Sequence, residues 1–405
     1  MQDRKYSLYR GVYVKKGKKN NYYVYLSSMM EDGWYNKFFG KSKSAINAQK
    51  FHSNLVSGLK NNGIKLVVVS VPPFNNQNSR KKFIFLKKQE IDNIKYYYLP
   101  VINIKFIRPI VFFISSVFIF LRFLISPRCK GVLFDALKYS TACLSVIVTK
   151  IFVKKTYAIY TDLPQYLGNS NILIKIMYKV INKSNNFILL SKYMNHKVNK
   201  KDKPHIVIEG FYDKEDFKNI IKSPSRNQIR KCMYAGDLSK IHGIERLIQG
   251  FIGADLLNTQ LYLYGEGDFV PNIMSYARKH SNVIYGGSLS RDSIKIKEVQ
   301  ADLLINNRPS ESEFSKYSFP SKTMEYLGSG TPLLMTKLPS IPVEYYPYMF
   351  FIDNETIDGV SEALRKVFSF DSEYLFNFGL KAKEFVTNHK NNEVQAKKII
   401  DFFNF

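Results

Sequence analysis

The stretch YSFPSKTMEYLGSGTPLL, from Tyr317 to Leu334, decides how the second half of this chain folds. Pro-Ser-Lys at 320–322 opens a helix, because proline lacks the N–H that a first turn would leave unpaired. Ser321 and Lys322 then set free backbone donors and an ammonium at the positive end of the helix, which suits a phosphate. Glu325 follows about one turn deeper, where its carboxylate can accept hydrogen bonds from a ribose diol. Gly-Ser-Gly-Thr-Pro closes the helix, and PLLMT (332–336) reads as a buried strand. Taken alone, the stretch also fits a capped αβ unit with one surface acid.

Upstream, KCMYAG (231–236), QLYLYG (260–265), NVIYGG (282–287) and DLLINN (302–307) are apolar runs separated by helix-length segments. That rhythm indicates a parallel sheet covered on both faces. Such sheets bind ligands at the carboxyl ends of their strands, so the loops there are the candidates. In YAGDLSKIHGIERLIQGF (234–251), Gly236 admits a ligand close to the backbone, and Lys240 and His242 can face a phosphate. Gly265 and Gly267 in LYGEGD form a G-x-G that lacks the third glycine of a dinucleotide fingerprint. GGS (286–288) offers backbone groups to a base edge. Each loop by itself is also an ordinary βα turn.

The first half shares this architecture without a repeated sequence period. Strands are expected over YYVYLSS (22–28), KLVVVSV (65–71), GVLFD (131–135), TYAIYTD (156–162), NFILLS (186–191) and HIVIEG (205–210). A helix from Ser44 carries Ala45, Ala48, Phe51, Leu55 and Leu59 on one face and ends at Gly63. Residues 214–229 are polar, contain Pro224 and read as a linker. The fold class is α/β: two Rossmann-like domains facing a cleft, over 1–213 and 230–385, with a C-terminal helix over 386–405 able to pack back on the first. Residues 109–126, PIVFFISSVFIFLRFLIS, are almost wholly apolar, with Arg108, Arg122, Arg128 and Lys130 in or beside them. A buried helix, a helix dipping into a membrane interface and a span interrupted by Arg122 are all open.

Composition narrows the class. A length of 405 residues favours two domains, and 45 % hydrophobic residues exclude disorder. Cys129, Cys143 and Cys232 stand apart with no CxxC pair, which argues for reduced thiols in a cytoplasmic protein. MQDRKYSLYRGVYVKKGKKN at the N-terminus holds no apolar core of signal-peptide length. Lys and Arg number 60 against 33 Asp and Glu, a net charge of +27 that calls for an anionic partner. With no zinc finger or RNP sequence, nucleic acid is not expected. An anionic membrane surface and phosphorylated small molecules are left.

In order and spacing, AGDLSKIHGIERLI, LYLYGEGD, ADLLINNRPS and FPSKTMEYLGSGTPLL resemble the donor half of GT-B glycosyltransferases of retaining family 4. The last piece resembles the variety common among exopolysaccharide, capsule and O-antigen transferases, and KLPSIPVEYYPY (337–348) strengthens the match. The resemblance covers roughly residues 230–370; the first half is similar in architecture only.

The resemblance implies a nucleotide-diphosphate sugar as donor, UDP-sugar first, with no separate cofactor. The implied acceptor is a saccharide or polyprenyl-linked saccharide. Glu325 would bind ribose, Ser321 and Lys322 would hold the diphosphate with Gly236 and Lys240, and Gly265 and Gly267 would line the nucleotide pocket. Two departures stand out. The family's first glutamate, eight positions ahead of the second, falls at Tyr317, and the arginine and lysine of the first loop are Asp237 and His242 here. Diphosphate charge then falls to Lys240, Lys322 and Arg308.

On the acceptor side, Gly40, Lys41 and Lys43 in KFFGKSKS would face the donor phosphates. Asp162 in YTDLP is the first polar candidate near the reaction centre and Asp135 in LFDAL the second, although an Asp in either place also caps turns. His52, His196, His205, His280 and His389 match no role. The sequence has no Asp-x-Asp, so metal-independent transfer is expected, with Lys322 and Lys240 neutralising the leaving diphosphate. A peripheral location on the inner face of the cell membrane would join the charge to segment 109–126. The rival readings are an epimerase or hydrolase of the same architecture, and a non-catalytic protein binding membrane or nucleic acid.

Overall fold

The computed structural model describes residues 21–39, 46–75, 78–104, 106–168, 170–224 and 229–403. The first half begins β1 (Tyr22–Ser27), α1 (Asp32–Phe39), α2 (Ile46–Asn61) and β2 (Leu66–Ser70). Four more strands follow: β3 (Phe83–Ile84), β4 (Gln89–Ile91), β5 (Ile94–Tyr98) and β6 (Val101–Ile102). The chain continues through α3 (Ile107–Leu124), β7 (Cys129–Asp135), α4 (Tyr139–Ile151), β8 (Lys155–Tyr160), α5 (Asn171–Ile181), β9 (Asn186–Leu189), α6 (Lys192–Val198) and β10 (His205–Val207). These strands form an eight-stranded sheet in the order β10-β9-β8-β7-β1-β2-β5-β4, with β3 and β6 as a separate antiparallel pair. Only β4 runs antiparallel within the large sheet. Val24–Leu26, Val67–Val69 and Val132–Phe134 are buried without alternation, as strands covered on both faces must be.

The second half runs β11 (Arg230–Asp237), α7 (Ile244–Ala254), β12 (Thr259–Glu266), α8 (Val270–Lys279), β13 (Val283–Gly287), α9 (Arg291–Gln300) and β14 (Leu303–Asn306). Then come α10 (Glu313–Tyr317), α11 (Ser321–Ser329), β15 (Leu333–Thr336), β16 (Phe350–Ile352), α12 (Ile357–Phe368), α13 (Ser372–His389) and α14 (Asn392–Phe403). Its six strands lie parallel in the order β13-β12-β11-β14-β15-β16. Each apolar run read from the sequence as a strand carries one. The edge hairpin β4–β5, the short α1 and β16 are additional elements.

The chain crosses between the two sheets twice, and both crossings are anchored. The Tyr212 N–H donates to the Lys390 carbonyl at 2.7 Å, so outgoing and returning segments pair. Beside this pairing the Lys390 ammonium is fully buried against Glu209 and, at 2.5 Å, Glu344. Tyr345 donates to the same Glu209 carboxylate at 3.0 Å. The polar run after Asp213 is held too: Phe217 enters the second core, while Asp216 accepts from Lys50, Arg291 at 3.1 Å and Lys295 at 2.8 Å. Helix α14 then returns to the first half, where the Phe403 ring stacks on Tyr23 at 4.7 Å.

Helix α3 is neither wholly buried nor free of the sheet. Phe112, Ser116, Phe120 and Leu124 form the stripe that enters the first core. The opposite side is equally apolar and faces outward.

Candidate active site

The carboxyl ends of β11, β12, β13 and β14 and the N-terminus of α11 meet at the edge of the second sheet. Helix α11 is fixed there by Tyr326, whose hydroxyl donates to the Ala235 carbonyl at 3.0 Å and accepts from the Ala235 N–H at 2.9 Å. Pro320 is the N-cap residue and no side chain caps the helix, so the positive end at Ser321 and Lys322 is left for a ligand.

Glu325 lies in the second turn of α11, and its carboxylate is held by Lys322 at 3.0 Å. The same ammonium reaches Glu298 of α9, also at 3.0 Å. Burial alone would raise the Glu325 carboxyl, but the charge of Lys322, with Lys50 and Arg291 beyond it, holds it below the usual range. Glu298 goes the other way: burial first, then the Glu325 charge, push it up to about 8. At neutral pH the trio is therefore one ammonium, one carboxylate and one carboxylic acid. The Lys322 ammonium, expected from sequence to hold the diphosphate, is here paired with two carboxyl groups. That pairing fixes the Glu325 carboxylate at the mouth of the helix.

The glycines of the first two loops act through close backbone approach. Gly265 has φ of 139°, and a Cβ there would sit 1.8 Å from the Gly236 carbonyl oxygen. At Gly267 a Cβ would come within 2.2 Å of Leu238. The loops are stitched by Leu238 N–H to Glu266 O at 2.8 Å and Lys240 N–H to the Asp268 carboxylate at 2.9 Å. Lys240 itself extends to the surface, where its ammonium meets Glu245 at 3.3 Å.

The two departures in the first loop face one another. His242 Nε2 lies 3.5 Å from the Asp237 carboxylate. Burial lowers the imidazole below its ordinary value; Asp237 opposes this and nearby Arg308 reinforces it. The histidine is therefore uncharged at neutral pH.

Arg308 lies in the loop after β14. Its guanidinium covers the Phe314 ring at 4.9 Å, and its Nη1 is buried with no hydrogen-bond partner. Tyr234, Asp162 and Asp237 are its electrostatic neighbours. The loop is fixed by Glu355, which accepts from the Ser310 N–H at 3.2 Å and pairs with Arg246 at 3.3 Å.

Across the cleft, Asp162 follows β8 of the first half. Burial raises its carboxyl, offset in part by the Leu163 N–H at 2.8 Å and by Arg308. Ser191, the N-cap residue of α6, donates to the Tyr317 carbonyl. Asp135 is a correction: it does not reach the cleft. It is buried, accepts from the Leu137 N–H at 2.9 Å and faces His52 Nε2 at 3.4 Å, while His52 meets the Tyr25 hydroxyl through its other nitrogen. Gly40, Lys41 and Lys43 lie outside the described residues. Glu298 and Ser191 went unnoticed in the sequence, since nothing local marks a carboxyl that meets α11 from another helix or a serine that spans the cleft.

No protein-family model and no curated protein sequence matches the chain. Solved structures do. The lipopolysaccharide outer core galactosyltransferase WaaB in its apo form superposes with a TM-score of 0.63 at 13% identity, over 94% of this chain and 98% of that one. HepE from Anabaena in complex with UDP gives 0.64 at 11% identity, over 95% and 99%. Sucrose-phosphate synthase from Thermosynechococcus elongatus gives 0.61 at 12% identity, over 95% and 98%. The chain has the GT-B fold, two Rossmann-like sheets across a cleft, along essentially its whole length.

Proposed function

We propose that the protein is a glycosyltransferase that moves a sugar from a nucleoside-diphosphate sugar, UDP first, to a saccharide or lipid-linked saccharide. Retention of configuration and independence from metal belong to the same reading, as does a role in bacterial surface polysaccharide synthesis at the cytoplasmic face of the membrane. The observation that carries it is Arg308, a half-buried residue whose Nη1 is buried with no hydrogen-bond partner, close to Tyr234, Asp237 and Asp162. Such a group is costly without an acceptor, and a diphosphate supplies one. That HepE is solved with UDP supports the choice of nucleotide.

In this reading Glu325 accepts from the ribose diol, while Arg308 and the amides of Ser321 and Lys322 take the diphosphate. The bond from the sugar's anomeric carbon to the diphosphate oxygen breaks as the acceptor hydroxyl attacks. Negative charge grows on the leaving oxygen, where fixed cations and amides act most strongly. The acceptor's proton passes to that oxygen, with Asp162 on the acceptor side orienting the hydroxyl.

The test is incubation with a panel of UDP-, GDP- and dTDP-sugars carrying a labelled glycosyl group, together with bacterial lipid and saccharide extracts. Label on an acceptor supports the proposal. Free labelled sugar alone indicates a hydrolase, and an unchanged panel sinks the proposal.

A further inference from the structure

Helices α3, α4 and α5 belong to successive right-handed crossovers that advance across the first sheet in one direction, which places them side by side on one face. Neighbours α3–α4 and α4–α5 are in contact. The outer surface of this layer is apolar. Phe118 on α3 is 69% exposed, Ile151 on α4 70% and Ile172 on α5 74%, with Ile114, Ile147 and Ile176 exposed between them. A helix that is apolar on every side belongs in a core or in lipid, and α3 has only 22% of its residues buried.

The charge around this surface is one-sided. From Val101 to Lys200 the sequence holds fifteen Lys and Arg and two acids, Asp135 and Asp162. Asp135 is buried and Asp162 turns to the cleft, so the layer shows no exposed carboxylate among its described residues. Arg122, Arg128, Lys150, Lys155, Lys175 and Lys179 are exposed on or beside the three helices. Apolar side chains within a basic surround match an anionic lipid surface. A second copy of the chain fits poorly, because it would bring the same cations against themselves.

We propose that the outer face of α3, α4 and α5 docks on a bilayer containing anionic phospholipid, with the apolar side chains entering the headgroup–acyl boundary. The turn Pro164–Leu167 leads from this face to Asp162, and its Tyr166 and Leu167 are exposed. A membrane-held acceptor would therefore reach the cleft along that turn. This last point rests on the glycosyltransferase reading; the docking does not.

Flotation of the full chain with phosphatidylcholine vesicles, with and without phosphatidylglycerol, tests the docking. The wild type should float with the anionic vesicles, less at high salt, and poorly with the neutral ones. The double variant Ile114→Asp, Phe118→Asp should lose about ten-fold or more of the bound fraction, with an unchanged melting temperature. Because both side chains are exposed, folding should survive; Ile147→Asp with Ile176→Asp provides an independent pair. Failure of the wild type to float, or flotation of both double variants like wild type, overturns the proposal. So does sedimentation showing a wild-type dimer that these variants dissolve. Vesicle binding without sugar transfer would leave the docking intact and remove the functional reading alone.

Discussion

The Ser191 hydroxyl donates to the main-chain oxygen of Tyr317 at 3.0 Å, joining the N-cap of α6 to the last residue of α10, just ahead of α11. Tyr317 stands where the family that the sequence resembles carries an acid, and its ring packs against the first core with the Lys197 ammonium 5.5 Å from its centre. The residue has thus become part of the contact between the two halves. Ser191→Ala should cost about 0.5–1.5 kcal/mol and Tyr317→Ala about 1–3 kcal/mol, both measured by urea unfolding. Wild-type midpoints in both variants would show that the contact contributes nothing.

Arg308→Ala should lower kcat by about 10²–10³-fold and raise the donor KM, while Arg308→Lys restores only part, since an ammonium cannot reproduce the planar fork. Steady-state kinetics with the donor found in the panel supplies both numbers. Lys322→Ala should also lose turnover, through a misplaced Glu325, and Glu325→Ala should match it.

Glu298 gives a pH signature. Its carboxyl is pushed up to about 8 in the folded chain, against about 4.3 when unfolded. The folded state therefore holds a proton that the unfolded state releases in this interval. The contribution is fully present below the unfolded value, falls as pH rises, and is gone once pH passes the folded value. Glu298→Gln removes that slope: its melting temperature should approach wild type near pH 4 and exceed it by about 2–4 °C per kcal/mol at pH 8. Parallel melting curves across the range would contradict the protonated state.

Lys390 has no exposed surface, and its ammonium is the partner of the Glu209 carboxylate. Lys390→Met should cost about 3–5 kcal/mol, because it strands a buried charge. The double variant Lys390→Met, Glu209→Gln should recover much of that loss in thermal unfolding.

How far the sequence spoke for itself depended on how local each signal was. The strands ending at Gly236, Gly265 and Asn306 announced themselves by unbroken apolar runs and the turns after them, and the Pro320–Ser321–Lys322 start of α11 was equally plain. The partner of Lys322 was not: Glu298 sits on a polar helical face whose direction only packing decides. Asp135 and Asp162 look alike in sequence, each after a strand, yet His52 draws the first inward while Arg308 faces the second. Asp216 lay in a polar run that resembled a linker, because three cations from distant elements converge on it only in the fold. The outward apolar stripe of α3 was visible as composition, but its exposure depends on which stripe the sheet takes.

The central claim is that the cleft binds a nucleoside diphosphate through Arg308 and the mouth of α11. Calorimetric titration of UDP, GDP and dTDP into the wild type and Arg308→Ala tests it most directly. We expect at least one nucleotide to bind the wild type and about ten-fold or weaker binding to the variant, the cost of a lost charge-assisted contact. Absence of binding for all three, or equal affinity in both proteins, would contradict the account.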